Sequence, residues 1–530
     1  MEVNLLWFTF VVTLFGYLYY RLTKNNEYFL EKPIPSLPVR PFFGSSASLL
    51  LKHVTFFDFI TTIYDKFPGV KVFGMFETTT PFFVIRDPEL IKQIAVKDFD
   101  HFVDHRQQFG DLEGNDNPNV LIGRSLFAMN GQRWRDMRAT LSPAFTGSKM
   151  RQMFGLIGEC GEDMVRFFAN EMKSSGGSVE VEVKDMMARF GVNVIASCAF
   201  GLKVDSFKER DNEFYRQGRE MMNFGKFSVV FKMLALRMFP KFCAWLGMDL
   251  ISKEQAVYFS NLIRETIRAR ESQGIVRHDM VDLLLQARKG TLKHHQEKEV
   301  QEGFATVEES DVGKAEMIKP MSETEMIAQC FIFFLAGFDT VSTGAMFMIY
   351  ELVRNPQIQE KLYEEVRKTH SELDGKPLTY DAVQKMKYMD MVMSESLRMW
   401  SPAPAIDRLC VRDYVLDDGE GLRFTIDKGT CVWFPAHGLH HDPRYYPNPD
   451  KFDPERFNDE NKKNIHLSTY LPFGIGPRNC IGSRFALMEV KTVVYHLLLD
   501  FSFERSENTE IPLTLKKGFT ALGTEKGMYV

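Results

Sequence analysis

The run Phe473-Gly474-Ile475-Gly476-Pro477-Arg478-Asn479-Cys480-Ile481-Gly482 presents one cysteine in a glycine-rich loop, just ahead of an apolar helical stretch. Glycines on either side let the backbone fold tightly around the sulfur. Backbone N–H groups can then point at a thiolate and stabilise its charge. Arg478 adds a cation two residues away, suited to a ligand carboxylate. Phe473 supplies an aromatic wall. An isolated thiolate, a cation and an aromatic wall on one loop suit one face of an iron porphyrin, and a thiolate axial ligand favours O–O cleavage. The bland alternative is a lone buried cysteine beside a turn. The defined residue types on both sides of the sulfur count against it.

Around this loop lie 530 residues, 45% of them hydrophobic, with 47 Phe and 28 Met, ample for a large core. No composition break divides the chain after its N-terminus, which allows a single large domain. A net charge of −5 gives no reason to expect nucleic-acid binding. The seven cysteines (160, 198, 243, 330, 410, 431 and 480) are dispersed, odd in number and free of any C-x-x-C pair. That argues against a disulfide framework or a zinc cluster and fits a reducing compartment.

Val3 to Tyr20 is an uncharged run of 18 residues rich in Leu, Phe, Val and Tyr. As a helix it spans roughly 27 Å, close to the hydrocarbon thickness of a bilayer. Arg21 and Lys24 follow directly, which places the remainder on the cytosolic side. No basic start or small-residue cleavage site marks it for removal. Residues 1–21 therefore read as a signal-anchor, and no other stretch reads as a span. Pro33, Pro35, Pro38 and Pro41 make residues 22–42 a stiff hinge. The body, 43–530, is mostly helical by periodicity. Lys71–Gly74 and Phe82–Ile85 read as a hairpin, Leu422–Ile426 as a later strand, and the charged segment Gln296–Lys319 as a mobile surface loop. Phe227–Met248 is apolar but broken by charges and a proline, so it is either a covered helix pair or a surface that dips into a membrane interface.

Ser322-Glu323-Thr324-Glu325 reads as a capping box opening an apolar helix that runs to about Arg354, where Asn355-Pro356 stops it. Such a helix crosses the middle of a large domain. Ala336-Gly337-Phe338-Asp339-Thr340 sits inside it. A mid-helix Gly costs about 1 kcal/mol and a buried Asp needs a partner. Both make sense at an active site: Ala336 and Gly337 leave room for a flat macrocycle and dioxygen, Thr340 offers a hydroxyl, and Asp339 links it to a proton supply.

The Cys480 loop matches F-x-x-G-x-R-x-C-x-G, and 336–340 matches A-G-x-D-T, with Val341 where a second Thr often follows. In these, and in order along the chain, the sequence resembles the cytochrome P450 family, most closely the insect detoxification members. Further parts of the resemblance are Trp134-x-x-x-Arg138, the E-x-x-R pair Glu395/Arg398, and Pro454-Glu455-Arg456-Phe457. E-x-x-R by itself is weak, since Glu213/Arg216, Glu265/Arg268, Glu351/Arg354 and Glu364/Arg367 share it. The resemblance implies a mainly α fold with small β-sheets, the P450 fold, preceded by one transmembrane helix. It implies haem b on Cys480. Trp134, Arg138, Arg408 and Arg478 serve the propionates, with His105 or Arg106 as a further contact, and Phe473, Ala336 and Gly337 line the macrocycle. Glu395, Arg398 and Arg456 form a structural triad, and Thr340 and Asp339 are the catalytic pair. Phe331, Phe334, Leu335, Phe338, Ala405, Ile406 and Phe519 are the pocket walls.

The implied reaction is monooxygenation of lipophilic compounds, xenobiotics such as plant toxins or insecticides. No dinucleotide-binding G-x-G-x-x-G follows a strand, so electrons come from a separate flavoprotein; the resemblance implies that this is NADPH–cytochrome P450 reductase, drawing on NADPH, with cytochrome b5 as a second partner. Basic residues such as Arg484 would meet the reductase. The resemblance also implies an endoplasmic-reticulum location, and places 227–248 between helices that lid the substrate site. Open alternatives are a hydroxylase of a hormone or fatty acid, a reductase-independent peroxide isomerase or dehydratase, and a non-catalytic haem-thiolate sensor.

Overall fold

The computed structural model describes residues 2–41, 43–106, 120–222, 229, 232, 235–236, 242–243, 246, 248–292, 303–307, 310–314, 321–518 and 522–530. Most of the span 227–248 and the pocket residue Phe519 thus lie outside the described residues.

Helices dominate, and the strands are short. β1 (Val72–Glu77) and β2 (Thr80–Ile85) form the expected antiparallel hairpin, with Gly74 opposite Phe83. β3 (Ile406–Leu409), β4 (Tyr414–Asp417), β5 (Arg423–Ile426) and β6 (Cys431–Phe434) follow late in the chain. β2 pairs with β6 in parallel and β6 with β3 antiparallel, giving a sheet ordered β1-β2-β6-β3; β4 and β5 form a separate ribbon. A parallel pair needs a long crossover. Here the crossover between β2 and β6 is most of the helical body.

The helix Glu323–Arg354 is the axis of that body. Ser322 Oγ accepts from Glu325 N at 3.2 Å and the Glu325 carboxylate accepts from Ser322 N at 3.0 Å, the reciprocal box expected from sequence. Its length and hydropathy would allow it to cross a membrane, but most of it is buried by protein. The helix Val183–Ile195 packs along it, and the helix Ser483–Asp500, which follows the cysteine loop, crosses it.

The N-terminal helix Glu2–Thr23 differs: Trp7, Phe8, Phe10 and Phe15 are all exposed. The hinge after it is docked. Phe29 is buried against Gly74, where a Cβ would overlap the Phe29 ring, and Gly74 N donates to Pro35 O at 2.9 Å. Tyr28 OH donates to Asp427, and Lys32 Nζ donates to Thr425 O at 2.8 Å. The prolines remove donors, and the sheet edge uses the carbonyls that remain. The segment Gln296–Lys319, expected as a mobile loop, also has a packed part: Ala305 is buried and Phe304 meets the rings of Phe457 and Tyr470. Apolar residues inside a polar run override its overall polarity.

Candidate functional site

The glycine loop closes by Cys480 N donating to Phe473 O at 2.8 Å and Asn479 N to Gly476 O at 2.9 Å. Gly476 has φ +73°, and a Cβ there would overlap the Ala95 carbonyl oxygen. Glycine is therefore required by conformation and by space alike. Cys480 is exposed, the one such cysteine among seven, all free. Desolvation nevertheless dominates its thiol and raises it, against the Gly482 N–H and Arg138, which lower it. The Cys480 side chain is thus accessible yet closely surrounded by protein. The backbone donor expected from sequence is present but does not win by itself. A coordinated cation would deprotonate the thiol outright.

Three arginines converge beside this loop. Arg138, on the helix Gly131–Leu141, donates from Nη1 to Asn479 O at 2.8 Å and from Nη2 to Asn479 Oδ1 at 2.7 Å. Arg478 donates to Val103 O at 2.7 Å and Met129 O at 2.6 Å, and its guanidinium lies 4.1 Å over the Trp134 ring. Arg408, fully buried on β3, reaches Ile475 O at 2.9 Å, while its Nε has no hydrogen-bond partner. Burial pushes Arg408 down to about 10. Burial, then repulsion from Arg408 and Arg138, pushes Arg478 down to about 9. Buried cations set close together, one of them with an unused donor, have the chemistry to accept carboxylates.

His105 and Arg106 are turned elsewhere. His105 Nδ1 is 3.3 Å from Asp407 Oδ1; Arg106 donates its backbone N–H to Asp407 Oδ2 at 2.7 Å and its guanidinium to Glu77. Burial lowers the His105 imidazole, with Arg478 and Arg408 adding to the effect and Asp407 opposing it.

The central helix has one interrupted stretch. From Val341 to Val353 every residue is buried, but Ala336 and Thr340 are exposed and Phe333 and Gly337 half-buried. At about 100° per residue these four share one face. Thr340 Oγ1 donates to Ala336 O at 2.6 Å. Asp339 does not reach toward Thr340; its Oδ1 pairs with Lys184 Nζ at 2.9 Å, and Lys184 also donates to Thr343 Oγ1 at 2.9 Å. Gly337 has a second neighbour besides that open face. A Cβ there would meet Ile195 at 3.1 Å, so its missing side chain also lets the neighbouring helix approach closely.

Phe331, Phe334 and Phe338 lie on the opposite face, fully covered. Phe334 meets Phe214, Phe259 and Phe200, Phe331 meets Phe259, and Phe338 meets Tyr215. Expected as pocket walls, they are core, because the helix turns that face to its neighbours. Leu335 lines a cavity of about 180 Å³ with Met221, Val229, Lys232 and Ile251. Ala405 and Ile406 pack at the sheet, and Phe473 against the main core.

Glu395, Arg398 and Arg456 come together as a buried knot. Arg398 donates Nε to Glu395 Oε2 at 2.7 Å and Nη2 to Oε1 at 2.9 Å; Arg456 Nε donates to Oε1 at 3.3 Å. Other E-x-x-R pairs are more open: Glu213/Arg216 is exposed at 3.6 Å, and Glu351/Arg354 pairs a buried carboxylate with a half-buried arginine at 3.0 Å. His440 carries the knot to the cysteine loop. Its Nδ1 donates to Arg398 O at 2.9 Å and its Nε2 accepts from Leu471 N at 2.8 Å. Sequence reading missed His440, Lys184, Asn479 and Phe333. Only Asn479, inside the loop motif, had a local signal. No cluster of three or more metal-ligating side chains exists among the described residues.

The family profile "Cytochrome P450" matches residues 34–530. The chain is 42% identical over 534 residues to cytochrome P450 9e2 of Blattella germanica, covering 98% of this chain and 96% of that protein. It is 40% identical over 521 residues to probable cytochrome P450 9f2 of Drosophila melanogaster, covering 97% and 96%. Identity to cytochrome P450 6a2 of Drosophila melanogaster is 33% over 525 residues, covering 98% and 97%.

Proposed function

Because the chain belongs to the cytochrome P450 family and is thereby a haem-thiolate monooxygenase, we propose that it oxidises lipophilic foreign compounds at a membrane surface, with Cys480 as axial ligand. The observation that carries this reading is the open, desolvated Cys480 sulfur bracketed by Arg138, Arg408 and Arg478. Thiolate-ligated haem supplies reductive activation of dioxygen when bound. The residues do the rest. Gly482 N–H and Arg138 temper the sulfur charge. Arg408 and Arg478 receive carboxylates, and Trp134 holds Arg478 in place by cation–π contact. Thr340 presents a hydroxyl at the exposed turn of the central helix, and Asp339, now held by Lys184, is the acid one residue away. Such a pair, a hydroxyl with a neighbouring acid, would hold and relay protons at that turn of the helix.

Exposed aromatic side chains along Glu2–Thr23 support a single-pass anchor, with the body on the cytosolic side of the endoplasmic-reticulum membrane. Electrons would come from NADPH through a separate reductase, with cytochrome b5 as a second donor. Plant toxins and insecticides are the favoured substrates, and a hormone or fatty acid the second reading.

The deciding experiment is the spectrum of the reduced carbon-monoxide complex. A red-shifted Soret band supports thiolate ligation; its absence in the pure parent protein overturns the reading. Product formation that requires both NADPH and reductase separates a monooxygenase from a peroxide isomerase or sensor. A binding-spectrum screen of pesticides, plant toxins, steroids and fatty acids then tests substrate class.

A further inference from the structure

The charged segment before the central helix contains a short packed piece, residues 303–307, with no place in the chemistry above. Phe304 N donates to Asp390 Oδ2 at 2.9 Å, and the other Asp390 oxygen receives Lys491 Nζ at 2.8 Å. Lys491 is almost fully buried. Any side chain at Gly303 would displace the Asp390 carboxylate, which Lys491 pins. The Phe304 ring lies 5.1 Å from Phe457 and 5.2 Å from Tyr470, and Thr306 N closes a turn on Gly303 O at 3.0 Å. A few residues on, the short helix Asp311–Lys314 packs beside Gly131–Leu141, the helix that carries Trp134 and Arg138.

These contacts converge on the cysteine loop from both sides. Tyr470 stands three residues before Phe473 and is tied by its hydroxyl to Ser394 O at 2.9 Å. Lys491 lies on the helix Ser483–Asp500, which begins three residues after Cys480. The contacts of this piece are specific: the Phe304 ring meets Tyr470 just before the ligand loop, and the Phe304 N–H reaches the helix that follows the loop through the Asp390–Lys491 pair, eight residues beyond that helix's start. We propose that Gly303 and Phe304 form a clasp that sets the position of the Cys480 loop, with Phe304 and Asp390 as positioning residues acting through Tyr470 and Lys491. The proposal rests on the reading of Cys480 as axial ligand.

The test uses the full chain in its haem-loaded form, with Phe304→Ala, Asp390→Asn and the conservative Phe304→Leu. The readouts are the share of reduced carbon-monoxide complex that lacks the red-shifted band, and the reduction potential. Phe304→Ala is expected to raise that share about fivefold, the size set by loss of the Tyr470 contact, the one that leads to the loop, and to shift the potential. Phe304→Leu restores both toward the parent. Asp311→Asn, exposed and outside the clasp, leaves both unchanged. If Asp390→Asn yields no haem protein, Phe304→Ala decides, because its removal leaves the Asp390–Lys491 pair in place. Parent-like band share and potential in Phe304→Ala overturn the clasp while leaving the monooxygenase reading intact; a parent protein without the band overturns that reading instead.

Discussion

Glu395→Ala removes a carboxylate that accepts four hydrogen bonds: from Arg398 Nε at 2.7 Å, Arg398 Nη2 at 2.9 Å, Asp453 N at 2.9 Å and Arg456 Nε at 3.3 Å. Glu395 and Arg398 are both fully buried. Without Glu395, the Arg398 guanidinium keeps only the carbonyls of His440 and Pro449 and has no counter-charge. Breaking a buried pair this way costs about 3–5 kcal/mol, a large part of the roughly 5–15 kcal/mol that holds a native fold. Melting is a poor readout of that loss. At about 2.1 cal/mol/K of unfolding entropy per residue, a chain this long shifts by only about 3–5 °C. Haem content is a sharper one, because the damage has a route to the ligand loop. Arg398 O holds His440, and His440 holds Leu471 N, two residues before Phe473. We expect purified Glu395→Ala to carry little haem per polypeptide and to lose the red-shifted carbon-monoxide band. Glu395→Gln, which keeps the shape and two hydrogen-bonding groups, should fall between it and the parent. A normal haem-to-protein ratio with an unchanged band in Glu395→Ala would refute the chain of contacts.

Four further outcomes are expected. Thr340→Ala should divert reducing equivalents from product to hydrogen peroxide; unchanged coupling, measured as product per NADPH, removes Thr340 from the mechanism. Asp339→Asn should slow turnover by roughly 100-fold, the lower range for a positioned acid, and enlarge the solvent deuterium isotope effect; a parent-like rate and isotope effect count against an acid role. Gly476→Ala should give no folded haem protein, since the left-handed φ and the Ala95 carbonyl both exclude a Cβ; wild-type haem content in that variant contradicts the loop geometry. The fourth concerns acid. Burial, reinforced by neighbouring His441 and Arg398, holds His437 and His440 well below their ordinary 6.5. The unfolded chain takes up these protons below 6.5 while the folded chain does not. Stability is therefore complete above that pH and falls below it by roughly 1.4 kcal/mol per histidine per pH unit. Chemical denaturation at about pH 7.5 and 5.5 checks this, and a flat profile counts against it.

The sequence by itself determined what depends on near neighbours. The capping box at Ser322 and Glu325, the hairpin of β1 and β2, and the left-handed glycine beside Cys480 all follow from short-range sterics and hydrogen bonding, which one stretch of chain carries within itself. Motif order carried the triad and the arginine set, although E-x-x-R occurs six times and only the Glu395 copy buries both partners. Tertiary structure decided which face each helix turns to which neighbour. Periodicity shows that Phe331, Phe334 and Phe338 share one face and Ala336 and Thr340 another; it does not show that the first meets Phe200, Phe214 and Phe259 while the second stays open. The same limit hid the Lys184–Asp339 pair, the His440 bridge to Leu471 and the seat of Phe304 beside Tyr470. Each joins segments far apart in the chain, and a long-range contact leaves no periodic or local trace, because its geometry exists only once the intervening helices have packed.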